Sequence, residues 1–437
     1  MSLQGERTGE WFARARKSLV NGVSSQFRYW GDEDTLVIDH GDGGHLIDMD
    51  GKHYIDYQLG FGPVILGHGE PNVAAAVAEA AKDGATSFAM TQRREVEAAE
   101  KVLNALKWPD AMRFTNTGTE ATMHAIRLAR GVSGRDLVVK FEGQYHGVHD
   151  YVMFSTASSK IEEMGTREEP IPAQTSTGIP DTIQTYIRAL PYNDLEITEK
   201  VFRNEGDRIA AVIVEPILGN TFGIMPVAGF LDGLRRLCDE YGAFLIFDEV
   251  KTGFRTALGG ANEVFGVTPD IGTYAKSMGN GYPVAAIAMH GRAADGWREG
   301  GVGQAGTYSG NGISAAAAAA TIDRLATGEP YERINEVGTA LMTGVGDLLA
   351  ARGVEHHITG HPSMFSMFIG EGEMHEFRDI SRHNADLYED ICFRMIERGV
   401  MPCPDALETW FICEAHTDDD VAKTLQVFEE SLGEALA

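Results

Sequence analysis

The chain has 437 residues, 43% of them hydrophobic and 23% charged, the make-up of a globular protein large enough for two domains. A net charge of −27 repels nucleic acid and anionic membrane, and no run of about 18 apolar residues offers a membrane span. Four cysteines without a CxxC pair, and fourteen histidines without a completing cluster, give no metal site and suit a reduced, cytoplasmic protein.

Residues 1–21 are charged and lack the apolar core of a signal peptide. They read as a helix, with Trp11, Phe12, Ala15 and Leu19 at near-helical spacing. Residues 23–30 set Arg28 among aromatic and hydroxyl side chains, where its fork suits either a carboxylate or the faces of Tyr29 and Trp30. Strands at 46–49 and 53–57 flank Asp50-Gly51, a hairpin signal. Gly60-Phe61-Gly62-Pro63 is a loop that lets backbone approach a ligand or a partner chain. Val73, Ala76, Val77 and Ala80 make one helix face, and Val96, Ala99, Leu103 and Leu106 repeat it.

At 112–121 a short strand runs into Thr117-Gly118-Thr119 and then a helix carrying Ala121, Ala125, Leu128 and Ala129 on one side. Free N–H groups, the positive dipole end and a hydroxyl suit a phosphate there, although an ordinary helix cap uses the same residue types. The strand at 137–141 ends in Glu142-Gly143-Gln144-Tyr145-His146-Gly147. An aromatic between two glycines just past a strand end suits a platform for a planar ring. Residues 155–185, rich in Ser, Thr, Pro and Gly, read as an active-site lid. A buried strand then ends at Glu215-Pro216, and Ile217-Leu218-Gly219-Asn220 follows.

Phe244-Leu245-Ile246-Phe247 has no helical spacing and predicts a strand buried on both faces of a parallel sheet. Asp248 then falls at its carboxyl edge, where open α/β folds bind ligands. Lys276 lies beyond it, just ahead of the turn Gly279-Asn280-Gly281-Tyr282-Pro283. Alone, the two residues fit a strand-end acid and a solvated lysine. Beside a phosphate-type helix start and a ring platform, they fit an aldehyde cofactor. A lysine forms a Schiff base, and an aspartate pairs with the protonated pyridine nitrogen of pyridoxal phosphate.

A strand at 284–289, a hydroxyl and glycine loop at Gly306-Thr307-Tyr308 and an alanine-rich helix complete the first part. Beyond Gly328 the texture turns to amphipathic helices, among them Val421, Leu425, Phe428 and Leu432 with Thr417 and Asp420 as a capping pair. Glu408 sits in a loop before a strand. The expected fold class is α/β, with a mostly parallel central sheet in a large domain plus a smaller α+β domain. Residues 61–327 form the large cofactor domain, 328–437 the small C-terminal domain, and 1–60 a segment packing with the latter.

The sequence resembles the class III pyridoxal-phosphate aminotransferases of fold type I, and within them the branch containing glutamate-1-semialdehyde 2,1-aminomutase. The resemblance runs from about Ser18 to the C-terminus, through Gly62-Pro63-Val64-Ile65-Leu66-Gly67-His68, Asn116-Thr117-Gly118-Thr119-Glu120-Ala121, Tyr145-His146-Gly147, Glu215-Pro216, Asp248-Glu249-Val250, Lys276 and Gly306-Thr307. It implies pyridoxal 5'-phosphate as cofactor. Lys276 is then the Schiff-base lysine, which also moves the proton between substrate and cofactor. Asp248 faces the pyridine nitrogen, and Gly118 and Thr119 hold the phosphate, with Thr307 supplied by a partner chain. Tyr145 and Val250 take the two ring faces, Asn220 stands near the ring hydroxyl, and His146 and Glu215 belong to the same cofactor site. Arg28 and Glu408 fall at substrate-contacting positions, a pair of opposite charges that suits two kinds of substrate in turn.

The resemblance also implies a homodimer with shared active sites, a small amino donor and an oxo acceptor, and no metal. Gly60-Phe61-Gly62 and Ser277-Met278-Gly279-Asn280-Gly281-Tyr282-Pro283 depart from the aminomutase towards the true transaminases of the class. The expected activity is therefore amino transfer from a donor to an aldehyde or keto acceptor. Alternatives are an intramolecular aminomutase, a lyase or racemase on the same scaffold, and a non-catalytic cofactor-binding protein.

Overall fold

Strands with no polar face are stable only where both sides are covered, and this chain supplies five of them. The structure is a computed structural model that describes residues 3–437. Its first strands are β1 (Ile38–Asp42), β2 (His45–Asp48) and β3 (His53–Asp56). A seven-stranded central sheet follows, made of β4 (Ala111–Thr115), β5 (Leu137–Phe141), β6 (Ile187–Leu190), β7 (Ile209–Val214), β8 (Phe244–Glu249), β9 (Ile271–Tyr274) and β10 (Ala285–Met289). The order across it is β4-β10-β9-β8-β7-β5-β6. Strands β6, β5, β7, β8 and β9 run parallel, and β10 alone is reversed, antiparallel to both β9 and β4. All the other strands therefore end on one edge.

Every residue of β5, β7, β8, β9 and β10 is buried. Successive side chains divide between two cores, as the two-residue period of a strand requires. Leu137, Val139, Leu245 and Phe247 pack with Leu234 and Leu237 of helix Phe230–Tyr241 on one face. Val138, Ile213, Ile246 and Ile287 pack on the other with Ala121, Ala125 and Ala129 of helix Gly118–Ser133. Those alanines bring the helix axis close to the sheet, with its N-terminus at the edge where the strands end.

Four short strands remain: β11 (His356–His361), β12 (Met364–Ile369), β13 (Val400–Met401) and β14 (Trp410–Phe411). β11, β12 and β14 form a three-stranded sheet. β13 pairs parallel with β3, Val400 opposite Ile55, so the early hairpin β2–β3 and the late chain share one sheet. The predicted capping pair is present, with Asp420 and Thr417 bonded reciprocally at the start of helix Asp418–Ala435.

Two expectations change. Strand β6 and helix Leu195–Glu205 have no counterpart in the sequence reading, because a four-residue strand carrying Arg188 offers too short a periodic signal. Residues 155–185 are not a free-standing lid. Met164, Ala173 and Phe377 share a small core, Arg378 donates to the carbonyls of Met164 (3.1 Å) and Gly165 (2.9 Å), and Arg167 pairs with Glu376. Their periodicity is weak because polar ties and two short 3-10 turns hold the segment, not one apolar face.

A single buried cation joins distant parts of the chain. Arg255 donates to the carbonyls of Gly62 (2.6 and 3.2 Å), Ser363 (3.0 Å) and Ile412 (2.9 Å). Burial pushes its guanidinium down to about 10. Replacing it removes four donated hydrogen bonds: Gly62 and Ser363 keep the Ser277 hydroxyl and the Ile412 N–H, while the Ile412 carbonyl loses its donor. Arg255→Met should therefore lose on the order of 3 kcal/mol in urea unfolding. A loss below about 1 kcal/mol would show that the three segments hold together without it.

Candidate active site

Of the strands that end on the common edge, all but β6 deliver one part of a cavity. From β4 the chain turns through Asn116 and Thr117 into helix Gly118–Ser133, where the Thr117 side chain accepts the Glu120 N–H at 3.2 Å. Glu120 in turn accepts both Asn116 N–H (2.9 Å) and its side-chain amide (3.1 Å), fixing the turn. The first N–H groups of the helix have no helical acceptor and carry the positive end of its dipole. Gly118 and Gly147 make this end an open cradle. A Cβ on Gly118 would meet Val250 Cγ2 at 2.9 Å, and one on Gly147 would meet Thr119 Oγ1 at 2.5 Å.

From β5 comes the Tyr145 loop, anchored from below. Lys140 is buried and donates to the carbonyls of Phe141 (3.0 Å), Gln144 (3.3 Å) and Phe154 (2.7 Å). The Tyr145 N–H donates to Glu215 Oε1 at 2.7 Å, leaving its ring half-buried on the cavity wall and edge-on to Phe27 at 6.3 Å. Glu215, just past β7, also accepts the Gly219 N–H (2.9 Å) and the Asn220 amide (3.0 and 3.1 Å). Burial and then the charge of Asp248 push Glu215 up to about 7, while the N–H donors from three loop positions favour its ionised, acceptor-only form.

Asp248 lies inside the end of β8, buried. His146 Nδ1 stands 2.7 Å from its Oδ2, and facing a carboxylate that nitrogen carries the hydrogen. Thr273 Oγ1 and the Val250 N–H donate to Oδ1, both at 3.1 Å. Burial lowers His146, so it stays a neutral donor, and its Nε2 is buried with no partner. His149 behind it is pushed down to about 3, first by burial.

Lys276 follows β9 with φ +47, a left-handed conformation that costs an L-residue about 1–2 kcal/mol and is concentrated at functional positions. Among the described residues its amine has no hydrogen bond or ion pair. Burial, then the neighbouring Lys251, push it down to about 7. One cavity is lined by Gly118, Thr119, Tyr145, His146, Glu215, Asn220, Asp248, Val250, Lys251 and Lys276. A second opens from it, sharing Tyr145, Asn220, Lys251 and Lys276, and is walled by Phe27, Trp30, Phe61, Phe393, Asp405 and Glu408.

Two expected residues stand apart. Arg28 is exposed in a 3-10 turn and lines neither cavity; the aromatic residues around it, Phe27, Tyr29 and Trp30, do. Thr307 is exposed and outside both cavities of this chain. Glu408 does pair with a cation, but with Lys251 at 2.5 Å and not with Arg28. The reason is position: Lys251 leaves β8 directly into the cavity and also donates to the Gly219 carbonyl at 2.8 Å. No local signal marks this role, since Lys251 follows Val250 at the strand exit, where a solvated lysine is the default reading.

A family model described as Aminotransferase class-III matches residues 28–432. A protein of Desulfatibacillum aliphaticivorans named glutamate-1-semialdehyde 2,1-aminomutase is 40% identical over 430 residues, covering 98% of this chain and 99% of that one. Among solved structures, an omega-transaminase from Sphaerobacter thermophilus superposes with a TM-score of 0.93 at 28% identity, covering 99% of this chain and 98% of the other. A transaminase with PLP bound superposes with a TM-score of 0.88 at 26% identity over 99% and 98% of the two chains.

The unpartnered amine gives a direct test. An acylating reagent attacks only the neutral amine, which Lys276 presents above its own midpoint. In full-length protein freed of bound carbonyl compounds, Lys276 acylation followed by mass spectrometry should rise through pH about 7. A rise only near the range of a surface lysine, about 10.4, would contradict this account of its surroundings.

Proposed function

This chain belongs to the class III aminotransferases, and from that premise we propose how its residues divide the work of moving an amino group from a donor to an oxo acceptor. The enzyme depends on pyridoxal 5'-phosphate. When bound, that group serves as the electron sink for the bonds to the substrate carbon. The cavity suits it: a helix N-terminus opens onto a cradle that a Cβ would fill, and a lysine there lacks any partner.

The single observation that carries the reading is Lys276, strained and unpartnered on the wall shared by both cavities. Lys276 would hold the cofactor and, as a base near neutrality, would take up and release a proton at its Nζ. Asp248 holds a proton on the pyridine nitrogen. A carboxylate has about four lone-pair sites, and three are taken by His146, Thr273 and Val250, so one remains. Gly118 and Thr119 would hold the phosphate, Tyr145 and Val250 would take the two ring faces, and Asn220, oriented by Glu215, would serve the ring oxygen. Glu408 meets substrate in the outer cavity. Residues 61–327 act as the cofactor domain, with 1–60 and 328–437 joined through the β3–β13 pair.

The exposure of Thr307 supports a homodimer in which Thr307 of the partner subunit completes the phosphate site. Tyr308 beside it is 65% exposed and Met90 81%, apolar surface that a second copy covers. Among the described residues no helix is long and apolar enough to cross a membrane, and all four cysteines are free, in keeping with a cytoplasmic enzyme. A second reading, intramolecular aminomutase, is favoured by the name of the 40%-identical relative.

Lys276→Ala should abolish the visible absorbance of the bound cofactor and lower amino transfer by several orders of magnitude, while circular dichroism stays unchanged. A variant that keeps a borohydride-reducible linkage would assign the role to another lysine. Incubation with panels of amines and oxo acids should give net exchange between two different compounds with ping-pong kinetics. Isomerisation of one amino-aldehyde acid, with no exchange in any pair, would instead establish the aminomutase. Thr307→Ala should weaken cofactor retention by about tenfold, as expected for one hydrogen bond to a charged group. A strict monomer in sedimentation with full activity would rule out the shared site.

A further inference from the structure

Two lysines line the same cavity, and their surroundings are opposite. Lys251 is buried, and its ammonium donates to Glu408 at 2.5 Å and to the Gly219 carbonyl at 2.8 Å, with the Phe411 ring centred 5.3 Å away. Each contact is of the kind that holds an ammonium group in place. Lys276, on the same wall, has none of them.

We propose that Lys251 is a positioning residue for the reaction: a cation pinned by Glu408 and Gly219 on the cavity wall it shares with Lys276, it disfavours a second positive charge there and so favours the neutral, nucleophilic form of Lys276. The inference rests on Lys276 being the cofactor-bearing amine.

The charges facing Lys276 can be taken element by element. The end of β8 supplies Asp248 and Lys251, the exit of β7 supplies Glu215, the loop before β14 supplies Glu408, and the loop after β5 supplies Tyr145 and His146. The three carboxylates favour a protonated Lys276, yet each already has donors. Asp248 has three, Glu215 is met by N–H groups of Tyr145, Gly219 and Asn220, and Glu408 is met by Lys251 and the Thr409 N–H at 3.0 Å. His146 is neutral and adds no charge. Lys251 is the one cation in the set. Groups of one type whose environments diverge this way take different protonation states, and an amine next to a fixed cation is the one that becomes nucleophilic. Lys251 is the largest charge-based cause lowering Lys276, second only to burial.

The test reads Lys276 acylation against pH by mass spectrometry in the full chain stripped of cofactor with hydroxylamine. Lys251→Met should move the Lys276 midpoint up by about one pH unit or more, and Lys251→Arg should restore it. The double variant Lys251→Met with Glu408→Gln removes cation and anion together, and its midpoint should still lie above that of the wild type. Glu408→Gln alone leaves the cation without its counter-charge and should move the midpoint down, which keeps the test usable should Lys251→Met fail to fold. A wild-type midpoint in both the double variant and Glu408→Gln would overturn the proposal, leaving burial as the sole cause. A wild-type protein whose Lys276 acylates only like a surface lysine would instead undo the reading of Lys276 itself.

Discussion

The charge of Asp248 is the constraint on which the site depends. The residue stands next to last in a strand buried along its whole length, and a carboxylate in such a place is tolerable only when donors replace its lost hydration. Three do so, and each comes from a different part of the chain: His146 from the loop after β5, Thr273 from β9, and the backbone of Val250 from its own exit. The need to satisfy one acid thereby fixes the spacing of three neighbouring elements. His146 cannot move without withdrawing a donor, so the Tyr145 loop next to it is held as well.

The two adjacent acids of β8 illustrate what strand geometry does with similar side chains. Asp248 faces the cavity, and Glu249, one residue on, points to the opposite face. There it accepts the Ala261 N–H at 2.6 Å, the Tyr274 hydroxyl at 3.1 Å and the Thr252 hydroxyl at 3.2 Å. Burial pushes it up to about 7. One acid organises a binding wall and the next locks the chain that leaves it. Glu215 on the neighbouring strand combines both tasks, lining the cavity while gathering N–H groups from loops on either side.

Much of this was legible in the residues. Phe244 to Phe247 read as a doubly buried strand because no polar residue interrupts them, and Asp248 and Lys276 followed from their places at its edge. Gly118 and Thr119 read as a helix start because glycine and hydroxyls mark such turns in any fold. Lys251 was not legible, because nothing local separates a lysine bound for a buried ion pair from one bound for solvent. Its partner lies 157 positions away, in the loop before β14. Arg28 illustrates the converse: an arginine among aromatics looks like a ligand for an anion, but a 3-10 turn directs the aromatics to the cavity and leaves the arginine exposed. The 155–185 segment misled for a related reason, since it is tied down by Arg378, which donates to the Met164 and Gly165 carbonyls, and by Arg167, which pairs with Glu376, both contacts across the chain.

The parallel pairing of β13 with β3 carries a consequence for how the molecule is made. Val400 meets Ile55 across about 345 residues of intervening chain, a closure with a large entropic cost and a high contact order. The strands of the central sheet end at Met289, and every residue that lines the inner cavity precedes it, so all of them are synthesised before the last third of the chain. The outer cavity is lined later. Its walls combine Phe27 and Trp30 with Phe393 and Asp405, and they meet only after residue 401 has joined the sheet. The lining of the inner cavity is therefore complete in the growing chain before any late wall of the outer one has been made.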